Sequence, residues 1–338
     1  MPLGEPSRPG ALVISLDFEL HWGMRDHVDR QSPTYAELAD SRAVVSDMAT
    51  CFAQRGIHAT WATVGFLFAT TRSELLAHAP QVRPTYRRHE FDPYGEPIGA
   101  DERTDPEHLA GSLVREVAST TGQEVASHTF SHYYCLEAGQ RREQFRADLA
   151  AARSAASLHG IELSSLVLPR NQWNPDYADI VLEQGFDCIR GPQPSWGHRA
   201  RSGDEQSSTA RVARLVDSYA GFGAPPTVAW HEVVRPDGLC DIPASAFLRP
   251  YSLARRRLES MKLHRLVTGM REAARRQRLF HLWWHPHNFT RHPKENFEFL
   301  QRIFDEYDRL ADVEGMRSLS MRDVVSRVRD RDGSTPTD

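Results

Sequence analysis

Two histidines four residues apart, His128 and His132 in the segment EVASHTFSHYYC (124–135), follow a short apolar run that reads as the end of a buried strand. At i and i+4 both imidazoles lie on one side if the segment turns helically, so both can reach one metal ion. Near the N-terminus the run ALVISL ends in Asp17-Phe18-Glu19. Residues two apart along a strand point the same way, so Asp17 and Glu19 can face one site while Phe18 faces a packing layer. Arg170 follows another apolar stretch in LPRNQWN, and His285 and His287 follow LFHLWW. A hydrolytic metal centre needs two or three protein ligands and an open position, a base that takes a proton from water, and an acid that protonates the leaving group. Two histidines and one carboxylate make such a ligand set, and the other carboxylate is then available as base.

Taken singly, each residue has an ordinary role: Asp17 and Glu19 as loop or capping carboxylates, Arg170 as a surface ion-paired arginine, His285 as a hydrogen-bonded strand-end histidine. Their common placement at strand ends is what points to a site. The elements that must position them alternate. Apolar runs at 11–16, 57–64, 165–168, 188–190 and 279–284 read as strands, as does the run that ends at Val125-Ala126 before the His pair. Helical periodicity falls between them: from Ser32-Pro33 to Gly56, from about 106, through Phe145, Leu149, Ala152 and Ala156, from about 175 to 185, through Leu263 to Ala274, from Pro293 to Tyr307, and around 321–328. Val228-Ala229-Trp230 reads as one more strand and PDGLCDIP (236–243) as a loop. Alternation along one chain implies a parallel sheet, and sustained alternation implies a closed or nearly closed barrel that gathers strand C-termini on one face. A doubly wound open sheet is the alternative, and no Gly-rich fingerprint follows the first strand.

The chain has 338 residues, 40% hydrophobic and 25% charged, with a formal net charge of −4, which argues against nucleic acid or an anionic membrane as main partner. Its four cysteines are scattered without a Cys-x-x-Cys pair, so neither a disulfide framework nor a zinc ribbon is expected. The start MPLGEPSRPG has no apolar signal core, and no stretch approaches the roughly 20 apolar residues of a membrane-spanning helix. The expectation is a cytoplasmic protein with one catalytic domain over 1–330, excursions near 80–106 and 191–251, and a disordered tail at 331–338.

In order, SLDFE, TWATVG, HTFSH, LPRN and WWHPHN resemble the motifs of the polysaccharide deacetylases with a NodB-homology domain, carbohydrate esterase family 4, over about residues 11–290. HTFSH matches the family's His-(Ser/Thr)-x-x-His. The resemblance implies an α/β fold, a distorted (β/α) barrel of about seven parallel strands, and one divalent metal, with zinc expected. Asp17 matches the base in the family's Thr-Phe-Asp-Asp-Gly. Phe18 stands where the family has a metal-binding Asp, so the ligand role passes to Glu19, beside His128 and His132; the reverse assignment of the two acids stays open. Arg170 is what this chain keeps of Arg-x-Pro-x-Gly and would hold the base carboxylate ionised. His285 matches the general acid, with His287 as rival, and Asp217 is a candidate to orient it.

The implied activity is hydrolysis of an N-acetyl group on an amino sugar of a bacterial surface polysaccharide or its nucleotide- or lipid-linked precursor. The implied partner is a saccharide substrate. Two other readings keep the scaffold: a metal-dependent amidohydrolase on a small non-sugar amide, and a sugar-binding protein without catalysis. Retention of an acid, a base and an arginine speaks against the last, because binding alone needs no proton transfer.

Overall fold

The computed structural model describes residues 8–192 and 225–330, apart from 29–30, 33–34 and 36–39. Among the described residues nine strands form one sheet: β1 (Ala11–Phe18), β2 (Ala59–Thr63), β3 (Gln123–Ser127), β4 (Ser165–Leu166), β5 (Cys188–Ile189), β6 (Cys240–Asp241), β7 (Ala246–Phe247), β8 (Leu279–Trp284) and β9 (Arg317–Leu319). Their order is β6-β5-β4-β3-β2-β1-β8-β7, and every pairing between them is parallel. β9 joins β1 along Ala11–Val13, below the segment Ser15–Phe18 that pairs with β2.

The two ends of this ladder, β6 and β7, are consecutive in the chain and joined only by residues 242–245. Eight strands laid flat would hold them about 34 Å apart, whereas the connecting chain reaches only about 18 Å. The sheet is therefore curled into a distorted β/α barrel, split where β6 and β7 make no ladder with each other among the described residues.

Alternation along β1 divides the packing. Leu12, Ile14, Leu16 and Phe18 join Phe280, Leu282 and Trp284 of β8 in the core cluster shared with the helices. Ala11 and Val13 fall with Leu279, Val167 and Cys188 in a second cluster on the concave face. That inner row continues as Ser15 and Asp17, so it turns from apolar to polar as it climbs toward the strand C-termini. On β8 the inner row is Leu279, His281 and Trp283, with His285 next.

The described helices of six residues or more are α1 (Ser41–Gln54), α2 (Arg72–His78), α3 (Gly111–Ser119), α4 (Arg142–Ser157), α5 (Ala178–Glu183), α6 (Glu259–Arg275), α7 (Pro293–Glu314) and α8 (Met321–Arg329). Among the described residues the barrel of about seven strands expected is met by β1–β8, with β9 alongside β1; β6, β7 and β9 are too short to show periodicity. Several other expectations are corrected. Cys240–Asp241 inside PDGLCDIP is a strand, and Val228 makes only an isolated antiparallel bridge to Leu279 before a 3-10 turn at Trp230–Glu232. The helix expected near 106 begins at Gly111, and α2 had no counterpart in the sequence reading. Pro33, Leu38, Asp217, the 193–208 stretch and the 331–338 tail lie outside the described residues. No described helix is long and apolar enough to cross a membrane, and all four cysteines are free thiols.

Candidate metal centre

Glu19 follows β1 directly, and its carboxylate is buried between histidines from two other strand ends. Oε2 lies 3.1 Å from His132 Nε2 and 3.3 Å from His128 Nε2, and Oε1 lies 3.3 Å from His285 Nε2. No helical turn brings the pair after β3 together. The loop bends through left-handed backbone at Thr129 (φ 64) and His132 (φ 57), leaving the two rings 5.2 Å apart. Asp148 on α4 pins that loop by accepting from the Phe130 amide at 2.6 Å and the Ser131 amide at 3.1 Å, and the Thr129 hydroxyl accepts from the Tyr133 amide at 2.7 Å. Leu20, Arg170 and Asn171 also have positive φ. Backbone held in this region clusters at functional sites, where the surrounding structure over-determines it.

Asp17 is held by an arginine, and the arginine is Arg190. Nη1 and Nη2 donate to Oδ1 at 2.6 Å and Oδ2 at 2.9 Å. Asn171 Oδ1 accepts from the same guanidinium at 2.9 Å, which lies 4.2 Å from the Trp283 ring centre. Behind it, His281 Nδ1 donates to the Ile242 carbonyl at 3.0 Å, leaving Nε2 to accept from the Ser15 hydroxyl at 2.8 Å. Arg170, expected in this role, instead pairs with Asp26 and lies 3.6 Å from Glu137. Its place at the end of β4, with left-handed backbone, turns it to the rim, where it stacks on Tyr134. Arg190 ends β5 at the matching height and faces inward. An arginine closing a buried strand was the only signal of it in the sequence.

Burial raises the Asp17 carboxyl, but Arg190, His128 and His285 more than offset this and hold it below the usual carboxylate range. Glu19 is likewise raised by burial and brought well below its ordinary value by His285 and by the neighbouring His128 and His132. Burial pushes His132 down to about 4, against the pull of Glu19, so its ring is neutral at neutral pH. His287 is pushed down to about 4 by burial and by His285.

The donor set fits a cation. His128 Nδ1 donates to the Val167 carbonyl at 2.9 Å, so in the neutral ring Nε2 carries a lone pair. That buried nitrogen has no hydrogen-bond partner among the described residues although it faces the Glu19 carboxylate. Lone pair against carboxylate is repulsive unless a positive charge lies between them. A carbonyl behind the far nitrogen is the usual orienting arrangement for a metal-bound histidine. Ligand atoms on tetrahedral zinc, with bonds of about 2.0–2.1 Å, stand about 3.3 Å apart, close to both Glu19–histidine distances. Glu19, His285 and His287 form a second convergent group through the same carboxylate. His285 differs from the buried pair: its side chain is 24% exposed, and Asn288 donates to Nδ1 at 3.4 Å, which places the ring proton on Nε2, facing Glu19 and, at 3.7 Å, Asp17. Gly23 is part of this cradle, since a Cβ there would collide with the Glu19 carboxylate.

No protein-family model matches the sequence, and no curated protein matches it. Solved structures do. A protein classed as a polysaccharide deacetylase from Mycobacterium smegmatis superposes with a TM-score of 0.61 at 12% identity, over 99% of this chain and 96% of its own. One from Pseudomonas aeruginosa, classed in the same way, gives 0.56 at 11% identity, over 98% and 97%. The fold is that of the polysaccharide deacetylases. Puue allantoinase shares it as well, with a TM-score of 0.53 at 13% identity over 99% and 96%.

Proposed function

We propose that this protein is a metal-dependent deacetylase that hydrolyses an N-acetyl group on an amino sugar of a bacterial surface polysaccharide or of its nucleotide- or lipid-linked precursor. The observation that carries this reading is the convergence, at the C-terminal ends of the strands, of a candidate ligand set, an ionised carboxylate and a partly exposed imidazole. Glu19, His128 and His132 would hold the metal, with zinc expected. When bound, such an ion supplies a Lewis acid for the acetyl carbonyl and lowers the pKa of a water at its open position.

The chain's own residues supply the rest. Asp17, kept ionised and fixed in direction by two Arg190 hydrogen bonds, is placed to accept the proton of the attacking water. His285 presents Nε2 to the two acids and, in its imidazolium form, is placed to deliver a proton to the departing nitrogen and return to the neutral ring; without it the nitrogen leaves as a strongly basic anion. His132 is neutral, and the Val167 carbonyl behind His128 turns its Nε2 toward the Glu19 carboxylate. Asp17, Glu19, His128 and His132 are buried, whereas His285 meets solvent, so substrate approaches from the His285 side. Trp283 and Phe247 stand there, 5.6 Å and 5.8 Å from the His285 ring, an apolar wall suited to the face of a sugar ring.

A second reading, hydrolysis of a small non-sugar amide, is favoured by the fold shared with an allantoinase. Zinc-loaded protein is assayed for acetate release from N-acetylated amino-sugar oligomers and from nucleotide- and lipid-linked N-acetyl sugars, beside ring opening of cyclic ureides. Acetate release that a chelator abolishes supports the deacetylase. Ring opening without any acetate release transfers the site to the second reading.

A further inference from the structure

A second convergence of metal-ligand chemistry lies outside the site described above. His21, in the 3-10 turn Leu20–Gly23, places Nε2 3.2 Å from Glu96 Oε1. His108 places its Nε2 4.0 Å from the same oxygen. One ligand atom from each of the three lies within 4.8 Å of the others. Both rings are buried, with centroids 4.3 Å apart. His108 is oriented from behind: its Nδ1 lies 2.7 Å from Asp105 Oδ1, and the Gly99 amide donates to that carboxylate at 2.7 Å. A carboxylate behind Nδ1 fixes the ring proton there and leaves the lone pair on Nε2, aimed at Glu96, as behind metal-bound histidines.

We propose that His21, Glu96 and His108 bind a second divalent cation of the zinc class, which clips the 80–106 excursion to the end of β1. The 3.2 Å and 4.0 Å separations bracket the spacing of about 3.3 Å expected between ligands on tetrahedral zinc. The parts to be clipped already touch: the Trp22 indole donates to the His108 carbonyl at 3.1 Å and the His21 amide to the Glu107 carbonyl at 3.4 Å. Glu96 follows the 3-10 turns His89–Phe91 and Pro93–Gly95; the stretch is tied at Arg87 to the Ala138 carbonyl and at Glu102 to the Thr70 carbonyl, and ligation adds a cross-link between those two anchors. His21 stands two residues beyond Glu19, and a clip there steadies the backbone that carries the Glu19 carboxylate.

The test is zinc stoichiometry on the full chain, made metal-free and titrated with Zn²⁺, for the wild type, Glu19→Gln, Glu96→Gln and the double variant. Glu19→Gln removes the acid common to both groups at the first site, so an equivalent that survives in it and vanishes in the double variant belongs to the second. The expected pattern is two equivalents, one, one and none. Circular dichroism confirms that each variant folds, and Glu19→Gln keeps all three proposed ligands whatever becomes of Glu96→Gln. Loss of all zinc in folded Glu19→Gln, or equal stoichiometry in Glu96→Gln and wild type, overturns the second site. A single wild-type equivalent that vanishes in Glu96→Gln but not in Glu19→Gln supports it, and takes the metal away from the deacetylase reading instead.

Discussion

At the scale of residues, two acids two positions apart have been given different surroundings by the fold. Glu19 faces three imidazoles, whereas Asp17 faces a guanidinium with both oxygens engaged. Glu19→Gln is expected to weaken metal affinity first, while Asp17→Asn should retain metal and lose turnover by about 10²-fold or more, the scale of a general base. Elemental analysis beside acetate release separates the two; the opposite pattern exchanges their roles. Arg190 and Arg170 are separated in the same way. Arg190→Met leaves Asp17 buried without its counter-charge and should cost about 3–5 kcal/mol in urea unfolding, with turnover falling as well. Arg170→Met removes a half-exposed partner of Asp26 and should leave the state of Asp17 unchanged. Asp26 is itself buried, so stability falls in both and turnover discriminates: similar losses of turnover for both substitutions would mean that Arg190 is not what sets Asp17. The sequence offered Arg170 because it follows a readable apolar run. Arg190 follows a strand of two residues, and its partner lies 173 positions away, a separation that no local pattern reveals.

At the scale of elements, strands were legible where an apolar run marks them, down to the two-residue β4 and β5, and β6, β7 and β9 were not. β1 and β8 are buried on both faces and so present continuous apolar runs, whereas β6, β7 and β9, of two or three residues, are held by neighbours rather than by their own pattern. The His128–His132 pair was found from its spacing, but the geometry that unites it is a loop with two left-handed residues pinned by Asp148, and the apparent helical logic was incidental. The turn after β1 shows how backbone sets the site. Gly23 leaves the space that the Glu19 carboxylate fills, so Gly23→Ala should displace that carboxylate and lower zinc affinity by about 10- to 100-fold, the scale of losing a residue that orients a ligand. Gly95→Ala is the control, because a Cβ there meets nothing. Zinc titration that finds the two variants alike would place Glu19 outside the ligand set.

At the scale of the whole molecule, the concave face carries more titratable groups than a core tolerates cheaply, and this couples the site to stability. His132 and His287 are pushed by burial from 6.5 down to about 4, and His281 by burial and Arg190 down to about 3. A group whose folded pKa is depressed binds its proton more readily in the unfolded chain, so stability rises with pH across the interval between the two values. The contribution of these three rings is therefore complete above about 6.5 and is lost as pH falls toward 4. Asp17 and Glu19, held below 3.8 and 4.5, extend the loss to still lower pH. Each group adds up to about 1.4 kcal/mol per pH unit inside its own window. Metal-free protein unfolded in urea at a series of pH values should lose stability steeply from pH 6.5 to pH 4. His281 supplies the internal check, because its ring touches neither Glu19 nor the other histidines but supports Ser15 beneath Arg190. His281→Gln should flatten the curve by one group's share even where the ligand set is intact. A flat profile from pH 7 to pH 4 would mean that these rings are charged in the folded chain, and the neutral, ligand-ready state of His132 would fall with it.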